Sequence, residues 1–186
     1  ILKRFKIEIV SSGGTYDLIR KMGFRCQDIS TYTGFDEMLD GRVKTLHPKI
    51  HAGILHNRKN SKHTKQMKLR NFNSIDLIIV NFYPFEKVLK SSSSLKKIIE
   101  NIDIGGPSMV RGAAKNFNDV TTITDKKDYS RLIGELKRFK GKTSLNFRKE
   151  MASKAFGLTA YYDSIVSEWF NREIGLEFPE RKTFFG

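Results

Sequence analysis

Arg42, Lys44 and Thr45 fall close together in the run Gly41-Arg42-Val43-Lys44-Thr45-Leu46-His47-Pro48. An arginine forks onto two phosphate oxygens, a lysine supplies a point charge, and a threonine hydroxyl donates one bond more. Pro48 biases His47 away from the α region, so the run before it reads as a loop. Such a loop suits a small, multiply charged anion; its plainer reading is a solvated basic turn. A second candidate is Ser12-Gly13-Gly14-Thr15, between a β-branched run and a helical pattern. Backbone N–H groups at a strand–turn–helix junction can cradle a phosphate. This motif is shorter than a P-loop and has no closing lysine, and Gly-Gly there is often only a turn. A third is Ile102-Asp103-Ile104-Gly105-Gly106-Pro107, feeding a helical pattern that ends near Lys115. A carboxylate and an amine are candidates for acid–base work. Asp103 as a helix cap and Lys115 as a dipole-favoured lysine are the plainer readings. The fourth is Asn81-Phe82-Tyr83-Pro84-Phe85, which closes the most aliphatic run, 77–80. Open α/β sheets keep their ligands at such strand ends; Tyr83 as packing is the alternative.

The elements that must position these residues follow from periodicity and punctuation. Strands are expected over 6–10, 24–29, 76–82 and 119–124. The unbroken 76–82 run suits a central parallel strand covered on both faces. Helices are expected over 15–22, 50–55, 59–72, 95–101, to Lys115, and from Thr124 or Asp125 as cap to about Phe139. The last, over 144–170, is the longest. The alternation predicts an α/β fold with a mostly parallel sheet of at least four strands.

At 186 residues and 39% hydrophobic, the chain can bury one sizeable core. No apolar run reaches membrane-span length, so no membrane partner is expected. The net charge of +14 raises a nucleic-acid reading. The lysines are spread along the chain instead of clustering with aromatics, which favours general attraction of anions. The lone Cys26 forms no internal disulfide and reads as a small buried side chain in a reducing compartment. His47 and His51 lie four apart with Pro48 between them and no carboxylate or cysteine nearby, so no metal is expected. The start at Ile1 and the uncovered Phe184-Phe185-Gly186 end suggest a fragment lacking sequence on both sides.

Six motifs, in order, resemble the IMP cyclohydrolase domain of the bifunctional purine-biosynthesis enzyme. They are Ser12 to Thr15, Thr33-Gly34-Phe35, Asp40 to Pro48, Asn81 to Phe85, Glu100 to Pro107 and Arg111-Gly112-Ala113-Ala114-Lys115-Asn116. Lys154-Ala155-Phe156 and Thr159-Ala160-Tyr161-Tyr162-Asp163 extend the likeness into the last helix. The family begins with a further strand and a Ser-Asp-Lys-type phosphate loop, ahead of where this sequence starts. Relatives often carry Leu where Phe82 stands.

The resemblance implies a methylglyoxal-synthase-like three-layer domain over 1–142 and a helical extension over 143–186 leading toward a transformylase domain. It implies dehydrative closure of 5-formamido-1-(5-phosphoribosyl)imidazole-4-carboxamide to IMP, the last step of purine-nucleotide synthesis. That step needs no cofactor; the following domain would use 10-formyltetrahydrofolate. Lys44 would steady the formyl oxygen, Lys115 paired with Asp103 would move the proton, and Tyr83 would orient the base. Ser12, Gly13, Gly14, Thr15, Arg42 and Thr45 would hold the 5′-phosphate, while Asn81, Ile104 and Gly105 would line the base or ribose. A cytoplasmic homodimer is implied, with Trp169 and Phe170 as an exposed contact. The rivals are a phosphate-sensing domain of the same fold without catalysis and a nucleic-acid-binding protein.

Overall fold

The computed structural model describes residues 1–91, 94–177 and 179. After a 3₁₀ turn at Lys3–Phe5, the order is β1 (Val10–Ser11), α1 (Gly13–Lys21), β2 (Gln27–Asp28) and α2 (Ile29–Thr33). Next come α3 (Pro48–Leu55), α4 (Ser61–Leu69), β3 (Leu77–Ile79), α5 (Phe85–Ser91) and α6 (Leu95–Glu100). The chain continues with α7 (Gly105–Lys115), β4 (Thr121–Ile123), a 3₁₀ turn at Lys126–Asp128, α8 (Tyr129–Arg138) and α9 (Leu145–Glu173).

Local chemistry starts most helices. His47 caps α3, its Nδ1 accepting from the Lys49 N–H at 3.1 Å, and Pro48 takes the first helical position, where no N–H is needed. Asn60 accepts from the N–H groups of Lys62 and His63 to start α4. Ser144 accepts from the Phe147 N–H to start α9. The expected cap at Asp125 serves the 3₁₀ turn instead, accepting from the Lys127 N–H at 2.8 Å.

The strands differ most from expectation. In place of one sheet, the described residues form two parallel pairs, β1 with β2 and β3 with β4. Val10 pairs with Gln27, and Leu77 to Ile79 pair with Thr121 to Ile123. The central strand expected over 76–82 is three residues long, has one partner, and leaves Ile79 41% exposed. Strand length follows the available partner backbone. Val80 donates a last bond to the Ile123 carbonyl, and the chain then leaves toward Pro84 and α5. The strand expected over 6–10 begins only at Val10, after the 3₁₀ turn.

The core is carried by α7 and α9. Small residues let these helices approach closely: Val110 and Ala114 of α7 bury against Ala152 and Ala155 of α9. The other side of α7 joins Ile50 and Ile54 of α3, Ile78 of β3 and Tyr32 of α2 around Ala113. The start of α9 packs Phe147 and Met151 on Leu132 and Leu136 of α8. Buried Asp128 accepts from Lys154 at 2.7 Å and ties α8 to α9. The far end of α9 places Tyr162 and Trp169 against Phe85 and Ile98. Trp169 is therefore not the exposed contact expected. It is 7% exposed, with its ring edge-on to Phe85 at 6.0 Å. Phe170 beside it remains 47% exposed.

Candidate active site

The loop 41–45 lies between two glycine turns. On one side, Lys44 Nζ is 4.0 Å from where a Cβ on Gly13 would sit. Gly13 has φ +53°, a left-handed conformation open to glycine at little cost, and it starts α1 behind Ser12. The Ser12 hydroxyl makes no capping bond, and Gly14 and Thr15 follow it, exposed, in the first turn of α1. On the other side, a Cβ on Gly105 would meet Thr45 Oγ1 at 2.5 Å. The first turn of α7 therefore approaches Thr45 only because residue 105 has no side chain.

Asp103 stands beside that turn. Its Oδ1 accepts from the Gly106 N–H at 2.8 Å, and its Oδ2 accepts from the Tyr83 N–H at 3.4 Å. Burial pushes the Asp103 carboxyl above its ordinary range, and those two N–H donors oppose the shift. A half-buried carboxyl shifted this way can exchange a proton closer to neutrality than a surface aspartate. The Tyr83 side chain is exposed, as are Asn81 at the exit of β3 and Ile104 ahead of α7.

The loop's two cations are occupied by carboxylates. Lys44 Nζ is 2.5 Å from Glu37 Oε2. The Arg42 guanidinium forks onto Glu100, with Nε donating to Oε2 at 3.3 Å and Nη2 to Oε1. That hydrogen bond lowers the Glu100 pKa and raises the Arg42 pKa. Gly13, Lys44, Thr45, Gly105, Asp103 and Tyr83 thus form one run of near neighbours, with cations at one end and a carboxyl at the other. Residues 1–108, which hold this whole run, match the MGS-like domain family.

The chain belongs to the MGS-like domain family.

Residues 113–185 match a second family, described as the AICARFT/IMPCHase bienzyme. Among similar curated proteins is the Bifunctional purine biosynthesis protein PurH of Bradyrhizobium diazoefficiens, 46% identical over 180 residues, or 97% of this chain and 34% of that protein. PurH of a Thermoanaerobacter species is 47% identical over 184 residues, 98% of this chain and 36% of its own length. The chain spans about a third of the length of these relatives. A crystal structure of ForH superposes with a TM-score of 0.81 at 32% identity, covering 91% of this chain and 87% of that one.

One expected pairing within this MGS-like chain is not formed. Asp103 precedes the first turn of α7 and Lys115 is its last residue. Ten helical steps separate the two ends by about 15 Å, and no ion pair joins the two among the described residues. Lys115 instead borders a groove of about 830 Å³ between α3, α7 and α9, with Arg111 and Lys149 nearby. His51 faces the same groove, its Nε2 buried and without a hydrogen-bond partner among the described residues. Burial pushes the His51 imidazole pKa down.

Two neighbours of the site were given no role from the sequence: Glu37, and Glu100, which stood only at the start of a motif. Gly106 stood in the Gly-Gly turn the sequence showed, and Asp103 three positions ahead of it is a capping pattern. No local pattern announces Glu37 or Glu100, whose partners come from a loop of unrelated spacing.

Proposed function

We propose that this MGS-like chain is an IMP cyclohydrolase that closes the second ring of 5-formamido-1-(5-phosphoribosyl)imidazole-4-carboxamide with loss of water. The observation that carries this reading is the run from Gly13 through Lys44, Thr45 and Gly105 to Asp103 and Tyr83. In this reading the glycine turn and the basic loop take the phosphate, and the raised Asp103 carboxyl serves the reacting head. The names of the PurH relatives, and their identity over nearly all of this chain, support the same reading.

The 5′-phosphate is held by Ser12, Gly13, Gly14, Thr15, Arg42 and Thr45, with Arg42 leaving Glu100 to fork onto its oxygens. Asn81 and the backbone of Ile104 and Gly105 line the base and ribose. Both reacting groups belong to one molecule, so orientation supplies much of the rate. The carboxamide nitrogen attacks the formyl carbon, a C–N bond forms, and the carbonyl electron pair moves onto oxygen. The Lys44 ammonium steadies that oxygen. Asp103 relays two protons in turn: one from the attacking carboxamide nitrogen to the oxyanion, giving a hydroxyl, and one from the formamido nitrogen to that hydroxyl, which leaves as water while the C=N bond forms. Tyr83 orients the carboxamide. Substrate equals product plus water, so the atom balance calls for no cofactor. Lys115 acts from its groove and not as the ammonium partner of Asp103.

For the whole protein we propose a second, formyl-transferring activity using 10-formyltetrahydrofolate, a homodimer, and a cytoplasmic setting. Within this chain, 1–142 is the cyclising domain and 143–186 the extension toward the following domain. No helix of the described residues is long and apolar enough to cross a membrane.

The test is direct. The whole protein is incubated with the formamido ribotide while the imidazole-carboxamide absorbance is followed into that of hypoxanthine. A fall in conversion of about a hundredfold or more in Asp103→Asn and in Lys44→Ala supports the reading. Binding of the ribotide without conversion favours the non-catalytic phosphate-sensing alternative.

A further inference from the structure

Tyr162 lies on α9, 59 residues beyond Asp103, and is 7% exposed. Its hydroxyl accepts from the Asp103 backbone N–H at 2.7 Å and donates to the Asn101 carbonyl at 3.3 Å. One oxygen therefore closes the turn 101–103 from inside. The ring of Tyr162 stands edge-on to Phe82 at 5.2 Å and to Phe85 at 6.2 Å. Those two aromatics flank Tyr83, whose N–H reaches Asp103 Oδ2. A single side chain thus touches both backbone segments that frame the carboxyl, one through its hydroxyl and one through its ring. Burial keeps the Tyr162 hydroxyl protonated, because desolvation is the largest influence on it and raises its pKa. The turn is also held by the Asn101 and Ile102 N–H bonds to the Ile98 and Ile99 carbonyls at 3.0 Å and by the Asn101 amide bond to the Lys97 carbonyl, but the Asp103 N–H has Tyr162 as its partner, and the carboxylate's own bonds go to Gly106 and, at 3.4 Å, to Tyr83.

We propose that Tyr162 is a positioning residue. Its hydroxyl fixes the turn that carries Asp103, and this fixes the aim of the carboxyl at the reacting nitrogen. The helix that the bienzyme family match places in the second part of the chain is then a structural member of the site built by the first part. This inference rests on the cyclohydrolase reading for its kinetic consequence but not for its structural one.

Removing the hydroxyl while keeping the ring leaves the Asp103 N–H and the Asn101 carbonyl without a partner in a part-buried place. In the whole protein, Tyr162→Phe is expected to lower kcat about tenfold with KM within about twofold, because the groups holding the phosphate are untouched. In an Asp103→Asn background with measurable residual activity, adding Tyr162→Phe is expected to cost nothing further, since the hydroxyl acts through that carboxyl. Tyr162→Leu, which also removes the ring, is the packing control and should lower Tm more than Tyr162→Phe does. Amide exchange on the 186-residue chain gives a readout independent of activity. The Asp103 N–H should exchange about tenfold faster in Tyr162→Phe, with the Gly112 to Lys115 amides of α7 unchanged. Unchanged kcat together with unchanged Asp103 exchange overturns the proposal, and so does full additivity with Asp103→Asn. If the wild-type protein does not cyclise the ribotide, the cyclohydrolase reading fails. The exchange rate then still decides whether Tyr162 anchors the turn.

Discussion

Glu37 Oε2 lies 2.5 Å from Lys44 Nζ, so the lysine nearest the Gly13 turn meets a carboxylate where the phosphate reading needs an anion. Glu37 is half exposed and Lys44 a quarter exposed, so the pair contributes on the order of 1 kcal/mol or less. On the cyclohydrolase reading a phosphate would displace Glu37 at a small cost in affinity. Glu37→Ala is expected to tighten IMP binding by about two- to fivefold at low salt, with the gain fading as ionic strength rises. Lys44→Ala should weaken binding more than tenfold. Titration calorimetry at two salt concentrations reads both. Tightening that is insensitive to salt would show that Glu37 acts on something other than Lys44.

Gly106 is where the least added volume should do the most damage. A Cβ there would sit 2.5 Å from Asp103 Oδ2 and 3.0 Å from its Cγ, so the carboxyl must leave the Gly106 N–H. Gly106→Ala should cost about 1–3 kcal/mol of stability through the lost bond and remove most of the activity through the misplaced carboxyl. Gly105→Ala meets only the Thr45 hydroxyl. Its defect in stability should largely disappear when Thr45→Ala is added, as a denaturant series on the four proteins would show.

Burial raises the Asp103 pKa in the folded chain above its unfolded value. The native state therefore holds this proton to higher pH than the unfolded state does. The favourable contribution is complete below the unfolded pKa and is lost as pH rises through the folded one. Asp103→Asn removes a charge that is costly to keep half-buried at neutral pH. The stability of Asp103→Asn relative to wild type should improve as pH rises from about 3.9 through the raised folded pKa, and level off beyond it. Wild-type activity, in contrast, should fall on the acid side with a midpoint above that of an ordinary aspartate. Thermal unfolding and kcat measured over the same pH range test both slopes.

The parts of this fold that sequence made legible are those whose causes are local. The helices that His47-Pro48, Asn60 and Ser144 start by bonds to nearby backbone were expected over 50–55, 59–72 and 144–170, and each begins within two residues of that bound. Strand lengths were not legible, because β-branched runs report a tendency and not a partner. The run at 77–80 looks like a fully covered strand, yet it has only β4 to pair with. At the site, the glycine turns and the basic loop were visible as motifs. Their meeting through Gly13, Lys44, Thr45 and Gly105 required the fold. The resemblance implied Lys115 and Asp103 as partners, but the rise of the helix between them holds them apart. Tyr162 stood in a recognised motif with no visible role, since its partner turn lies far earlier in the chain.

Trp169 and Phe170 give the last test, because adjacent residues on one helix face opposite surroundings. Trp169 is buried among Phe85, Ile98 and Tyr162, while Phe170 is 47% exposed although its ring lies 4.5 Å from the indole. Trp169→Ala opens a cavity under α5 and α6 and should cost about 3–5 kcal/mol. Phe170→Ala removes an exposed ring and should change stability by about 0.5 kcal/mol or less. Any role of this end of α9 in joining two copies would draw on exposed residues such as Phe170 and not on the buried indole. Sedimentation across protein concentration separates the two effects. Phe170→Ala should weaken self-association at unchanged Tm, whereas Trp169→Ala should lower Tm at every concentration. A Trp169→Ala protein with wild-type Tm would mean that the indole is not packed in the core.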